Sequence, residues 1–248
     1  MALQEEFEKQ GNFLFKYRGT LPLILLFGSL LMFVYTQYFK DGYDDFISYE
    51  NYEIVALFVA FVGLIIRIYT VGHSAPNTSG RNTEEQIADE VNTTGIYSMV
   101  RHPLYVGNFF MWLGPALLVQ NFWFVVAFIF IYWVYYERIM FAEEQFLRRK
   151  FGEVYLKWAE KTPAFILSFK NYTPPKLSFS WKKVLKKEKN GLAAIFVVFF
   201  AFRAVREYIL TGTVSTHTWI FYATIASLVI YFILKYIKKY TTILEDGR

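Results

Sequence analysis

Six apolar stretches, each near the length needed to cross a bilayer as a helix, recur along the 248-residue chain. An α-helix rises about 1.5 Å per residue, so roughly 20 mostly apolar residues cross the hydrocarbon of a membrane. The stretches are Leu21–Phe39, Ile54–Thr70, Leu104–Val119, Phe122–Met140, Leu192–Leu210 and Thr218–Tyr236. With 55% hydrophobic and 21% aromatic residues, the composition exceeds what a soluble core of this length needs. The expectation is an all-α fold: a polytopic membrane helix bundle of about six transmembrane helices.

Charge in the connections sets an expected orientation. Lys9, Lys16 and Arg18 precede the first stretch, and the next connection is acidic, with Asp41, Asp44, Asp45, Glu50 and Glu53. The turns at Gln120-Asn121 and Thr211–His217 carry no Lys or Arg. Arg148 to Lys189 is dense in both, and Lys235, Lys238 and Lys239 close the last stretch. The positive-inside rule then puts both termini and the two long connections in the cytoplasm. The compact chain suggests a bacterial inner membrane. Glu5, Glu6 and Glu8 argue against a cleaved signal peptide. With no Cys, disulfides, thiolate metal sites and a Cys nucleophile are excluded, and three histidines make a multi-histidine metal site improbable, so none is expected.

The chain divides into four parts. Residues 1–53 hold the N-terminal segment and first span, 54–165 a core, 166–190 a basic linker and 191–248 a C-terminal hairpin. Within the core, Val71–Arg101 carries a capping box at Thr83–Gln86, and Ile87 and Val91 give the predicted helix an apolar face that Gly95 ends. The Asn-x-Ser/Thr triplets at Asn77, Asn92 and Asn171 fall on the expected cytoplasmic side and read as chance matches. Leu147, Phe151, Val154, Tyr155 and Trp158 predict that a helix continues out of the fourth span. Pro163 and Pro174-Pro175 end regular structure, and Trp181–Lys187 reads either as an interfacial segment attracted to anionic lipid or as a solvated loop.

The candidate chemistry lies at the ends of the third and fourth spans. Arg101, His102, Pro103, Tyr105 and Gly107 open the third, and Glu143 and Glu144 follow the fourth. A short turn makes the two spans antiparallel and returns both clusters to one side of the bilayer. Pro103 suits a first helical turn, whose free amides favour an anionic group. Gly107 and Gly114 share a face that a flat ligand or another helix can approach. Bland readings stand beside these. Arg101 and His102 can simply anchor the span, and Glu144 can pair with Arg148 at i,i+4. Glu137 and Arg138 lie deeper and should face a cavity or partner. Arg67 can snorkel, Glu207 can pair with Arg203, and His73 and His217 receive no role.

Together these residues resemble the isoprenylcysteine carboxyl methyltransferase and phospholipid methyltransferase group of membrane enzymes. The shared pattern reads Arg101-His102-Pro103-Leu104-Tyr105-Val106-Gly107, a hairpin, then Glu143-Glu144-Gln145-Phe146-Leu147 and Phe151-Gly152-Glu153-Val154-Tyr155. It covers roughly Leu57 to Phe165. The resemblance implies S-adenosylmethionine as methyl donor, bound at the cytoplasmic face by Tyr97, His102, Pro103, Tyr105, Gly107, Glu143 and Glu144. It implies a lipophilic acceptor embedded in the membrane, with Arg101 or Arg138 holding its anionic group, and no nucleic acid. The last two spans lie beyond this unit and suit a dimerising or substrate-gripping role. Membrane sterol reductases share the Arg-His-Pro-x-Tyr-x-Gly turn and use NADPH, but tend to have an acidic residue where this chain has Asn108. A non-catalytic scaffold is the remaining alternative.

Overall fold

The computed structural model describes residues 2–39, 49–75 and 86–245. They form α1 (Leu3–Lys16), α2 (Leu21–Phe39), α3 (Tyr49–His73), α4 (Pro103–Leu118), α5 (Phe122–Phe151), α6 (Glu153–Ala159), α7 (Trp181–Thr211) and α8 (Trp219–Tyr240). Single 3-10 turns occupy Ile96–Ser98 and Phe169–Asn171. Extended pairing among the described residues is limited to a bridge between Gly95 and Thr173.

Local chemistry sets the helix ends. Asn121 accepts from the Phe124 amide at 2.9 Å to open α5, and Ser180 accepts from Lys183 N–H at 3.2 Å to open α7. Pro103 takes the first position of α4, where its missing N–H costs nothing. The reversal between α4 and α5 turns on Gln120, at a φ of 52°. Gly152 reaches the same φ and breaks α5 from α6, so the helix expected to run on through Trp158 does so with a bend.

Among the described residues, four helices are long and apolar enough to cross a membrane: Pro22–Phe39, Tyr49–His73, Phe122–Phe151 and Trp219–Tyr240. Their outer faces expose residues such as Leu23, Ile24, Phe27, Ile230, Phe232 and Ile233. That is the surface of an integral membrane protein, whose solvent is lipid. The third and fifth expected spans form as helices too. However, α4 has only 16 residues and α7 carries charge along both halves of its 31 residues, so neither is among the four.

The bundle is assembled around α3, whose most extensive neighbour is α4. Small residues let the two backbones approach. A Cβ on Gly107 would lie 2.9 Å from the Gly63 carbonyl, and one on Gly114 would lie 2.8 Å from both the Ala56 carbonyl and Ala60 Cβ. The face shared by Gly107 and Gly114 therefore meets a helix, and Gly107 is a packing position. Two ion pairs tie α3 to an antiparallel α7: Glu53 with Arg203, and Arg67 with Glu188. These anchors are fourteen residues apart on α3, roughly 21 Å along its axis. A core of Phe33, Ala56, Ala60, Leu118, Phe199, Phe202 and Ile220 fills the space among α2, α3, α4, α7 and α8.

Several expectations are corrected. Arg203 pairs with the fully buried Glu53, and Glu207 instead accepts from the Ser215 amide at 2.8 Å. Arg67 does not snorkel to water. Trp181–Lys187 is the first part of α7, continuous with the fifth expected span; within it Lys183 is buried and caps the end of α3 through the Ser74 and Ala75 carbonyls at 2.6 and 2.9 Å. Of the capping box expected at Thr83–Gln86, residues 83–85 lie outside the described residues, and residues 86–92 are not helical. Unforeseen, α1 lays Phe7, Gly11 and Phe15 along α5, where Arg149 and Glu8 pair at 2.7 Å.

Candidate active site

The turn before α4 and the end of α5 meet, as the hairpin argument requires. Glu143 and Glu144 diverge by about 100° around α5, and each finds its own partners. Glu144 Oε1 lies 2.8 Å from His102 Nε2 and 3.0 Å from Arg101 Nε, so its partners are Arg101 and His102 rather than the i,i+4 alternative Arg148. Glu143 accepts from the Tyr105 hydroxyl at 2.7 Å and lies 3.6 Å from His102 Nδ1. The buried imidazole thus stands between two carboxylates. Burial alone would lower its pKa, but hydrogen bonds and charge from Glu143 and Glu144 outweigh it and raise the value above 6.5.

The segment after α6 straps this turn from outside. Arg101 N–H and His102 N–H donate to the Pro163 and Ala164 carbonyls at 2.9 and 3.2 Å. Tyr105 N–H turns back to the His102 carbonyl at 3.1 Å. The amides expected to be free for an anion are therefore largely committed. Trp158 Nε1 donates to the Tyr97 carbonyl at 3.1 Å, and Arg101 Nη1 donates to the Ala159 carbonyl at 3.1 Å. Both contacts hold α6 against the turn.

A cavity of about 540 Å³ opens beside the cluster, within the range of small-molecule sites. Tyr97, Arg101, His102, Pro103, Tyr105 and Glu143 all border it, whereas Glu144 supports it from behind. Neither Gly107 nor Arg138 borders it. Arg138 pairs with the neighbouring Glu137 at 2.9 Å and lies 3.5 Å above the Phe7 ring, so it fastens α1 to α5. Aromatic wall comes from Phe15, Tyr136, Phe146 and Trp158.

Sequence reasoning missed eight charged or polar residues on this wall, Gln86, Glu90, Asn92 and Lys187 together with Arg18, Arg67, Asn108 and Glu188. Arg67 Nε and Nη2 donate to Glu188 at 2.8 and 2.7 Å, and Nη1 donates to Asn108 Oδ1 at 2.7 Å. The available signal was a charged residue inside an apolar stretch, which usually faces a cavity or a partner.

An all-helical integral membrane protein with an acid-, histidine- and arginine-lined cavity at the end of a helical hairpin is the class that fold and site define. Within it, residues 52–154 match the family model described as phospholipid methyltransferase. The chain is similar to the protein-S-isoprenylcysteine O-methyltransferase of Schizosaccharomyces pombe, 33% identical over 125 residues that cover 48% of this chain and 50% of that protein. Similarity to protein-S-isoprenylcysteine O-methyltransferase A of Arabidopsis thaliana is 36% over 108 residues, covering 42% and 53%. A probable protein of that name from Oryza sativa subsp. indica is 32% identical over 120 residues, covering 47% and 59%. The chain thus spans about half the length of these relatives. No solved structure matches it.

Proposed function

We propose that this protein is an S-adenosylmethionine-dependent methyltransferase of the membrane that methylates a lipophilic acceptor, with its site facing the cytoplasm. The observation that carries the reading is the His102–Glu143–Glu144 cluster, built by the region that matches the family model and opening on a cavity of suitable size. Residues 54–165 are read as the catalytic core, with α4 and the second half of α7 crossing the bilayer to give six spans and cytoplasmic termini.

The chemistry of the donor fits these residues. Glu143, on the cavity wall, suits the donor's ammonium or ribose diol. The aromatic wall formed by Tyr97, Tyr105, Tyr136 and Trp158 favours a sulfonium by cation–π attraction. Bound there, S-adenosylmethionine would supply a methyl group open to in-line attack, and an acceptor carboxylate, already anionic, needs no base to take it as the sulfonium leaves as a neutral thioether. The protein's own work is then alignment and exclusion of water. Arg101 and Glu144 lock the imidazole, and the 163–165 strap closes the outer edge. Arg138, remote from the cavity, is given no part.

The relatives' name points to the carboxyl group of an S-prenylated cysteine as acceptor. The test is transfer of tritiated methyl groups from S-adenosylmethionine to N-acetyl-S-farnesylcysteine, with phosphatidylethanolamine in parallel. A product that releases methanol in base is expected with the first. Label in neither acceptor would refute the reading.

A further inference from the structure

The matched region stops at residue 154, yet the cavity does not. Its wall is completed by Lys187 and Glu188 of α7, and the cation that Glu188 grips lies on α3. Resting on the methyltransferase reading, we propose that α7 completes an acceptor subsite. There Arg67 binds the carboxylate of the lipophilic acceptor, and Glu188 is the residue that positions Arg67.

The charges on the cavity wall sort themselves. His102 stands between Glu143 and Glu144, Arg101 is engaged by Glu144 and the Ala159 carbonyl, and Arg18 lies 3.9 Å from Glu143. That cluster holds two carboxylates and suits a donor carrying charges of both signs. Arg67 has different surroundings. Three of its N–H groups go to Glu188 and Asn108, and a guanidinium carries five. The two that remain match the two oxygens of a carboxylate. The Glu188 side chain is 5% exposed against 17% for Arg67, so the guanidinium is the more open member of the pair. Fixing it on three anchors removes the entropy that a free arginine would lose on binding. One turn beyond Glu188, Gly191 lets α7 come close: a Cβ there would sit 3.1 Å from Met111 Cε and 3.6 Å from Glu188 Oε2.

The experiment measures, on the full-length protein, the KM for N-acetyl-S-farnesylcysteine and, by calorimetry, the Kd for S-adenosylmethionine. Glu188→Ala should raise the acceptor KM by about tenfold, and Arg67→Ala by more, with donor affinity held within about twofold. The double variant should be no worse than Arg67→Ala, because Glu188 acts through Arg67. Glu188→Gln keeps the shape and one acceptor oxygen, so a several-fold rise is expected even if the alanine variant fails to fold. The amide of the same farnesylated cysteine, used as an inhibitor, should bind the unmodified protein more weakly than the acid and lose little on Arg67→Ala. Intact donor binding with an unchanged acceptor KM in Glu188→Gln and Arg67→Ala would overturn the subsite alone. Loss of donor binding in Glu188→Gln would also overturn it, since Glu188 would then support the whole cavity. An unmodified protein that binds no donor would overturn the methyltransferase reading, and this subsite with it.

Discussion

His102 is buried between two carboxylates, and its protonation is therefore linked to stability. Its folded-state pKa lies above the value near 6.5 expected in the unfolded chain. A raised pKa means that the folded state binds the proton more tightly. The stabilisation is full below about pH 6.5 and is lost as the pH climbs through the elevated folded-state value. Thermal unfolding in detergent from pH 6 to pH 9 should show a falling Tm, and His102→Gln should flatten that slope. A slope unchanged by the substitution would mean that the imidazole is not charged between Glu143 and Glu144. The two glutamates also differ in role. Glu143→Ala removes a group on the cavity wall and the partner of the Tyr105 hydroxyl. Glu144→Ala frees His102 and Arg101, so donor affinity should fall by about tenfold or more without loss of the cavity. Calorimetry on both variants separates these outcomes.

Among the elements, α3 carries most of the assembly. The Glu53–Arg203 pair joins it to α7 far from the cavity, with Glu53 wholly buried. Removing one partner leaves an uncompensated charge in a poorly solvated place. Glu53→Ala should cost about 3–5 kcal/mol, and Glu53→Leu with Arg203→Met should recover most of it, as read by unfolding in mixed micelles. Gly107→Val should lower Tm and donor binding together, because the new side chain meets Arg67 and the Gly63 carbonyl on the facing helix. Loss of donor binding with an unaltered Tm would return Gly107 to the binding site.

The same elements show what could be read from sequence and why. Leu104–Val119 anticipated α4 within one residue at each end, because Pro103 and the Gln120 turn mark its limits locally. The His102–Glu144 meeting was legible because a two-residue turn forces the hairpin. The Arg67–Glu188 and Glu53–Arg203 pairs, 121 and 150 residues apart, leave no trace in any local window. The two arginines had plausible nearby explanations, snorkelling for Arg67 and an i,i+4 partner for Arg203. The stripe Leu3, Phe7, Gly11, Phe15 was present in the sequence, but the acidic residues beside it were weighed only against a signal peptide.

For the whole molecule, the proposed six-span topology makes a labelling prediction, and the absence of native Cys makes the test clean. Single cysteines at Asn121 and Thr213 should react with an impermeant thiol reagent from one side of sealed vesicles. A cysteine at Lys161, in the strap, should react only from the other. Reaction of all three from one side would contradict the topology and detach the cavity from the cytoplasmic face.

The most direct test of the central claim is calorimetric titration of the purified protein with S-adenosylmethionine, with NADPH as the parallel ligand. The cavity beside His102 should bind the methyl donor saturably, with binding abolished by Glu143→Ala, and should bind none of the nicotinamide. Preferential binding of NADPH, or donor binding indifferent to Glu143, would contradict that claim.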